Sequence, residues 1–170
     1  MHLAFSSMNT PSDPHPEELA RALEERGFES LWYGEHSHIP CCRTTPYPAG
    51  GELPDPYRRM MDPYLSLMTA ANATSTLRLG TGIALLMERD IFAQAKTIAT
   101  LDRLSGGRVM IGTGVGWNQE EFENINPHPF NKRYAVLRET VEATRVLWRE
   151  EEAGYQGKYL RFDPVWADPK

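Results

Sequence analysis

At 170 residues, 41% of them hydrophobic and 24% charged, the chain is long enough to bury one domain-sized core. A net charge of -5 with no basic run argues against nucleic acid or an anionic membrane as partner. No apolar run nears the ~20 residues of a membrane span, Met1 to Phe5 enters a strand rather than a signal peptide, and the only cysteines, Cys41 and Cys42, are adjacent, so a reducing cytoplasm is expected.

The elements alternate. Leu3 to Met8 reads as a first strand, and a helix opens at Asp13-Pro14 or His15-Pro16, with Leu19, Ala22 and Leu23 on one face and Gly27 as its stop. Ser30 to Gly34 is a second strand that runs into Glu35-His36. Ile39 to Arg59, rich in Pro and Gly, is too long for a plain connector and is expected to be a lid-like insertion. Asp62-Pro63 starts a second helix whose apolar face is Tyr64, Leu65, Met68 and Ala71. Leu77 to Leu86 is a nearly continuous apolar strand, as in a sheet covered on both faces. Phe92 to Leu101 marks a third helix, Val109 to Ile111 a fourth strand, and Tyr134 to Trp148 a fourth helix. Gly157 to Phe162 reads as a short extended piece.

Four successive strand-helix units predict a parallel sheet with helices outside it. An open doubly wound sheet and half of an eight-fold barrel both satisfy this pattern, since a barrel takes ~250 residues.

The densest signal is Leu101 to Asn118. Gly106-Gly107 suits the left-handed turn that ends a helix. Arg108 to Ile111 is a short buried strand, and Gly112, Gly114 and Gly116 strip side chains from its C-terminal end, where parallel sheets bind ligands. Bare backbone there would accept a flat cofactor or substrate. The glycines only partly match the dinucleotide fingerprint: Trp117 takes the place of its last glycine and no acidic strand end follows.

Ala99 to Arg108 followed by Gly112 to Asn118 resembles the fourth-strand signature of the luciferase-like monooxygenase family, in particular its branch using the deazaflavin coenzyme F420. Gly27 to His36 resembles the family's second strand, Leu79 to Ile83 its third, and Arg138 to Trp148 its fourth helix. The resemblance covers the whole chain. It implies an α/β fold of the (β/α)8 TIM-barrel type with about the first four β/α units present, residues 1–170 forming a single domain with residues 39–59 inserted. On that template the chain stops before the fifth strand. It is therefore expected to be a fragment, or a half that pairs with a second half or a like copy, because it lacks the phosphate-binding loops after strands 7 and 8 and exposes sheet edges.

The resemblance also implies the chemistry: an oxidoreductase that passes hydride between F420, or FMN as the alternative, and a small organic substrate. Glu35 and His36 end strand 2, and a histidine exchanges protons near neutral pH. His36 is the implied proton donor or acceptor, with Glu35 orienting it or contacting the cofactor. Ser6, Ser7, Thr81, Gly82, Ile83, Gly112, Gly114, Val115 and Gly116 are the implied cofactor contacts, with a cis peptide at Gly82-Ile83. Met8, Trp117 and Asn118 are the implied substrate wall. Some F420-dependent sugar-phosphate dehydrogenases carry a carboxylate where Trp117 stands, so an apolar or planar substrate is implied here.

Two other readings compete. His36 and His38, spaced by two on a strand, point to one face, as in barrel zinc hydrolases, with further ligands to come from His128, Asp62 or the missing half. A non-catalytic truncated family member is the other.

Overall fold

A computed structural model describes all 170 residues. Six strands and five α-helices follow one another as β1 (Ala4–Ser7), α1 (Pro16–Glu25), β2 (Ser30–Tyr33), α2 (Pro63–Ala73), β3 (Arg78–Ala84), α3 (Ile91–Ser105), β4 (Val109–Thr113), α4 (Gln119–Ile125), α5 (Arg133–Arg149), β5 (Ala153–Gln156) and β6 (Arg161–Val165). The chain packs as two compact units. Residues 1–39, 53–84 and 101–113 form the first, and residues 40–52, 85–100 and 114–170 the second.

The first unit is a four-stranded sheet in the order β1-β2-β3-β4, every pair parallel. Leu31, Tyr33, Leu79 and Thr81 are almost completely buried on one face, joined by Ala20 and Leu23 of α1 and by Leu67 and Ala70 of α2. On the opposite face the register places Ser6, Trp32, Gly80 and Met110 in one row. Trp32 lies flat along that row. Its indole N–H donates to Ser30 Oγ at 2.8 Å, and a Cβ on Gly80 would stand 2.3–2.6 Å from three of its ring carbons.

Local chemistry sets the element ends. In α1, Gly27 (φ 74°) and Phe28 return their N–H groups to the Glu24 and Leu23 carbonyls. Gly106 and Gly107 (φ 75° and 80°) do the same at the end of α3, bonding Arg103 and Asp102. Both are Schellman endings, which the left-handed residue makes possible. Asp62 caps α2, accepting from Tyr64 N–H at 2.9 Å and Leu65 N–H at 3.0 Å, with Pro63 in the first turn.

The signature before β4 is built into this scaffold. Asp102 Oδ1 accepts the Val109 N–H, and the Arg108 guanidinium donates to the carbonyls of Ala71, Leu77 and Ser105 and to Thr74 Oγ1. Arg108 thus ties the end of α2, through the Ala71 carbonyl and the Thr74 hydroxyl, to the start of β3 and the end of α3. Glu24 performs the matching task for donors: its carboxylate accepts the N–H groups of Ser75, Thr76 and Leu77 and the Thr76 hydroxyl. Burial would raise the Glu24 pKa, but these bonds outweigh it and lower it to about 2.

The second unit packs α5 against the β5–β6 hairpin. Ile91, Ala95, Ala143, Leu147 and Ala153 form one apolar cluster, and Met87, Phe122 and Val136 a second. Glu139 on α5 holds the hairpin turn, accepting from the N–H groups of Lys158, Tyr159 and Leu160.

Four sequence expectations shift. The buried face of α2 runs through Tyr64, Leu67, Ala70 and Ala71, with Leu65 exposed instead. The third strand ends at Ala84 rather than Leu86, because Leu86–Glu88 wind into a 3-10 turn. Gly157 to Phe162 is not one extended piece: it holds the turn and the first residues of β6, which pairs antiparallel with β5. The seven-residue α4 escaped the periodicity reading, being too short and acidic to show an apolar stripe. No helix is long and apolar enough to cross a membrane.

Candidate active site

In a parallel sheet all strands point the same way, so their C-terminal ends share one edge. The register brings Ser7, Tyr33 and Thr81 level across β1, β2 and β3, and Ala84 level with Thr113 of β4. Beyond Tyr33 the chain continues through Gly34 into Glu35 and His36. Gly34 is a close approach: a Cβ there would sit 3.3 Å from the Gly82 carbonyl oxygen and 3.0 Å from Met60 Cε. Glu35 and His36 therefore leave β2 beside the Gly82-Ile83 peptide. Glu35 is 5% exposed, His36 is half-buried, and the His36 ring lies 5.5 Å from the Tyr57 ring.

The Gly82–Ile83 peptide is cis, as the resemblance implied, and the β3–β4 register slips between Thr81 and Ala84. Two hydroxyls close the slip. Thr81 Oγ1 donates to the Gly112 carbonyl at 2.9 Å and Thr113 Oγ1 to the Ala84 carbonyl at 2.8 Å. Gly82 and Ile83 stand exposed, and a Cβ on Gly82 would meet only Trp32 carbons, at 3.6 and 3.7 Å.

The structure sorts the implied cofactor contacts. Thr81 is fully buried with its hydroxyl committed to Gly112, so only its backbone faces other uses. Ser7 Oγ accepts the Asn9 N–H and donates to Asp13, which ties it to the turn after β1. Gly112 lacks a side chain for an architectural reason: a Cβ would stand 2.5 Å from the Thr81 carbonyl oxygen. Ser6, by contrast, is exposed on the Trp32 face. Met8 is half-buried just past β1. Asn9, which the sequence gave no reason to single out, braces this end: Nδ2 donates to the Met61 carbonyl and the Asn9 carbonyl accepts the Met61 N–H.

The chain after β4 enters the second unit. Gly114, Val115 and Gly116 are half-buried, and Gly116 takes a positive φ of 67° with Glu88 and Leu85 within 3.4 Å of any added Cβ. Trp117 sits between two side chains of the 40–52 segment: the Arg43 guanidinium is 5.7 Å from its ring centroid and the Tyr47 ring meets it edge-on at 5.9 Å. Asn118 is 2% exposed, makes no cap bond to α4, and has no hydrogen-bond partner at either amide atom. A buried unsatisfied polar group costs roughly 1–3 kcal/mol, so the Asn118 amide calls for an explanation beyond packing.

The family model of the luciferase-like monooxygenases matches residues 7–170. The chain belongs to that family. Among its relatives is an uncharacterised protein of Mycobacterium tuberculosis (strain ATCC 25618 / H37Rv), 43% identical over 173 residues, with 100% of this chain and 61% of that protein covered. The F420-dependent hydroxymycolic acid dehydrogenase of the same strain is 30% identical over 148 residues, covering 86% of this chain and 38% of its own length. Of solved structures, the monooxygenase RslO1 from Streptomyces bottropensis superposes with a TM-score of 0.80 at 27% identity, covering 100% of this chain and 50% of that one. The luciferase-like chain described here thus spans between a third and two thirds of the length of these relatives, and its sheet is the four-unit part of their barrel fold.

No group of three or more His, Cys, Asp or Glu side chains is placed to hold a metal ion. His38 Nδ1 instead lies 2.9 Å from Ser37 Oγ, and His128 Nε2 lies 2.7 Å from the Tyr159 carbonyl. Neither Asp62, engaged as the α2 cap, nor His128 completes the His36/His38 pair in a zinc-hydrolase arrangement.

Proposed function

We propose that the protein is an F420-dependent oxidoreductase acting on a small, apolar or planar organic substrate. The observation that carries this reading is the rim of the sheet, where Glu35-His36 leave β2 directly beside the exposed Gly82-Ile83 peptide, at which Gly82 carries no side chain. The residues present fit a flat ring: bare Gly82 and the exposed apolar Ile83 beside it give a planar group backbone and an aliphatic edge to lie against. When bound, F420 supplies the hydride chemistry. His36 holds or releases the accompanying proton, and buried Glu35 orients the imidazole. Trp117 and Asn118 are taken as substrate contacts on the family resemblance alone, the indole as an aromatic surface and the carboxamide as a donor and an acceptor. F420 is preferred to FMN on the fourth-strand resemblance and on the F420-dependent relative.

Separate calorimetric titrations of the protein with F420 and with FMN test the reading. Saturable one-to-one binding of F420, at least about tenfold tighter than FMN, is expected, since a tenfold preference needs only about 1.4 kcal/mol. Preference for FMN would move the chemistry to flavin, and binding of neither would overturn the cofactor reading for this chain.

A further inference from the structure

The 40–52 segment is not a free loop. Glu120, in the first turn of α4, sends one carboxylate oxygen, Oε1, into it. That atom accepts the Thr44 N–H at 2.6 Å, the Thr44 hydroxyl at 2.8 Å and the Thr45 N–H at 3.1 Å. The contact is reciprocal, because the Gln119 N–H donates to Thr45 Oγ1 at 3.3 Å. Hydrogen bonds from Thr45 and Thr44 outweigh desolvation and hold the Glu120 carboxyl ionised, its pKa lowered to about 2. Charge-assisted bonds of this kind are the strong ones.

On either side of the clamped threonines lie Arg43 and Tyr47, the two residues against the Trp117 indole. Trp117 itself is three residues before Glu120. The clamp, the segment and the indole thus form one closed circuit: Trp117, Glu120, Thr44-Thr45, Arg43 and Tyr47, and back to Trp117. We propose that Glu120 is a positioning residue that fixes the 40–52 segment and thereby the orientation of Trp117, which sets substrate selectivity. The effect on selectivity rests on the reading of Trp117 as a substrate contact. The clamp itself does not.

Two readouts report on the clamp without turnover. The Arg43–Thr44 bond is a trypsin site whose Thr44 N–H lies in the Glu120 clamp, so E120A should be cut there at least about tenfold faster than the native chain. With 5-fluorotryptophan in all four tryptophans, the fluorine resonance lost in W117F identifies Trp117. In E120A that resonance should shift or broaden while those of Trp32, Trp148 and Trp166 stay. E120Q keeps an acceptor oxygen but loses the charge and should fall between native and E120A in both assays. Unchanged cleavage and an unchanged Trp117 resonance in E120A overturn the proposal. If E120A fails to fold, T45V, which removes the reciprocal bond, must show the same two changes to a lesser degree, and native behaviour in T45V overturns it equally. Selectivity is separate: a W117F protein with unchanged KM towards every substrate it turns over defeats the substrate-contact reading while leaving the clamp standing.

Discussion

Trp32 and Gly80 make the sharpest mutational test of the sheet. An alanine at Gly80 would bring its Cβ to 2.3–2.6 Å from three carbons of a rigid indole whose N–H is tied to Ser30. Two effects oppose each other. Gly→Ala at a compatible backbone position stabilises by about 0.4–1 kcal/mol through the unfolded chain, and Gly80 is not in the left-handed region. Overpacking of a rigid ring costs about 1–3 kcal/mol. The clash wins, leaving a net loss of about 1–2 kcal/mol, or a Tm lower by about 2–8 °C for a chain of this size. Replacing the ring reverses the sign: in a W32L background G80A should stabilise by up to about 1 kcal/mol, because only the unfolded-state term survives. Urea unfolding of the four proteins of this cycle, followed by circular dichroism, measures both numbers. A G80A protein as stable as its parent, or a cycle with no coupling, would refute the placement of Trp32 across the sheet.

Two further outcomes are expected. Glu24 titrates at about 2 in the folded chain against an ordinary 4.5, so its contribution is complete above about pH 4.5 and drains away as the pH falls toward 2. Because the group is largely solvent-screened, this is worth on the order of 1 kcal/mol; E24Q should be less stable at pH 7 and lose less on acidification, and parallel pH-stability curves for the two proteins would contradict the clamp. At the rim, H36A should bind F420 with an affinity within a few-fold of native yet turn over about 10²–10⁴ times more slowly, the usual share of a general acid or base; undiminished kcat removes His36 from the chemistry.

Periodicity and turn chemistry carried the scaffold. Gly27 and Gly106-Gly107 end their helices with positive φ, Asp62 caps α2, and four apolar runs become four parallel strands, because each of these features is local. Long-range contacts left no such trace. Nothing around Glu24, Glu120 or Glu139 distinguishes a loop-holding carboxylate from a solvated one, since their partners lie 51, 76 and 19 residues away. The long 39–59 stretch could be recognised as unusual but not as divided, with Pro40–Glu52 in one compact unit and the 3-10 turn Asp55–Arg59 in the other. The candidate site was legible as position, at strand ends, rather than as contact.

That distinction also narrows where function resides. A residue whose identity the packing already explains carries little further information about ligands. Gly112 yields to the Thr81 carbonyl, Gly80 to the Trp32 ring, Thr81 and Ser7 spend their hydroxyls inside the scaffold, and Arg108 gathers the Ala71, Leu77 and Ser105 carbonyls. Gly82, Ile83, Ser6 and Asn118 are different. A side chain would fit at Gly82, Ile83 is an apolar residue 40% exposed, Ser6 stands open on the sheet, and Asn118 is buried with both amide atoms unpaired. Folding alone has no use for such choices: an exposed isoleucine gains little from burial and a partnerless buried amide costs stability. Departures from the local rules at single positions, inside a scaffold that otherwise obeys them, are the first places to look for a ligand.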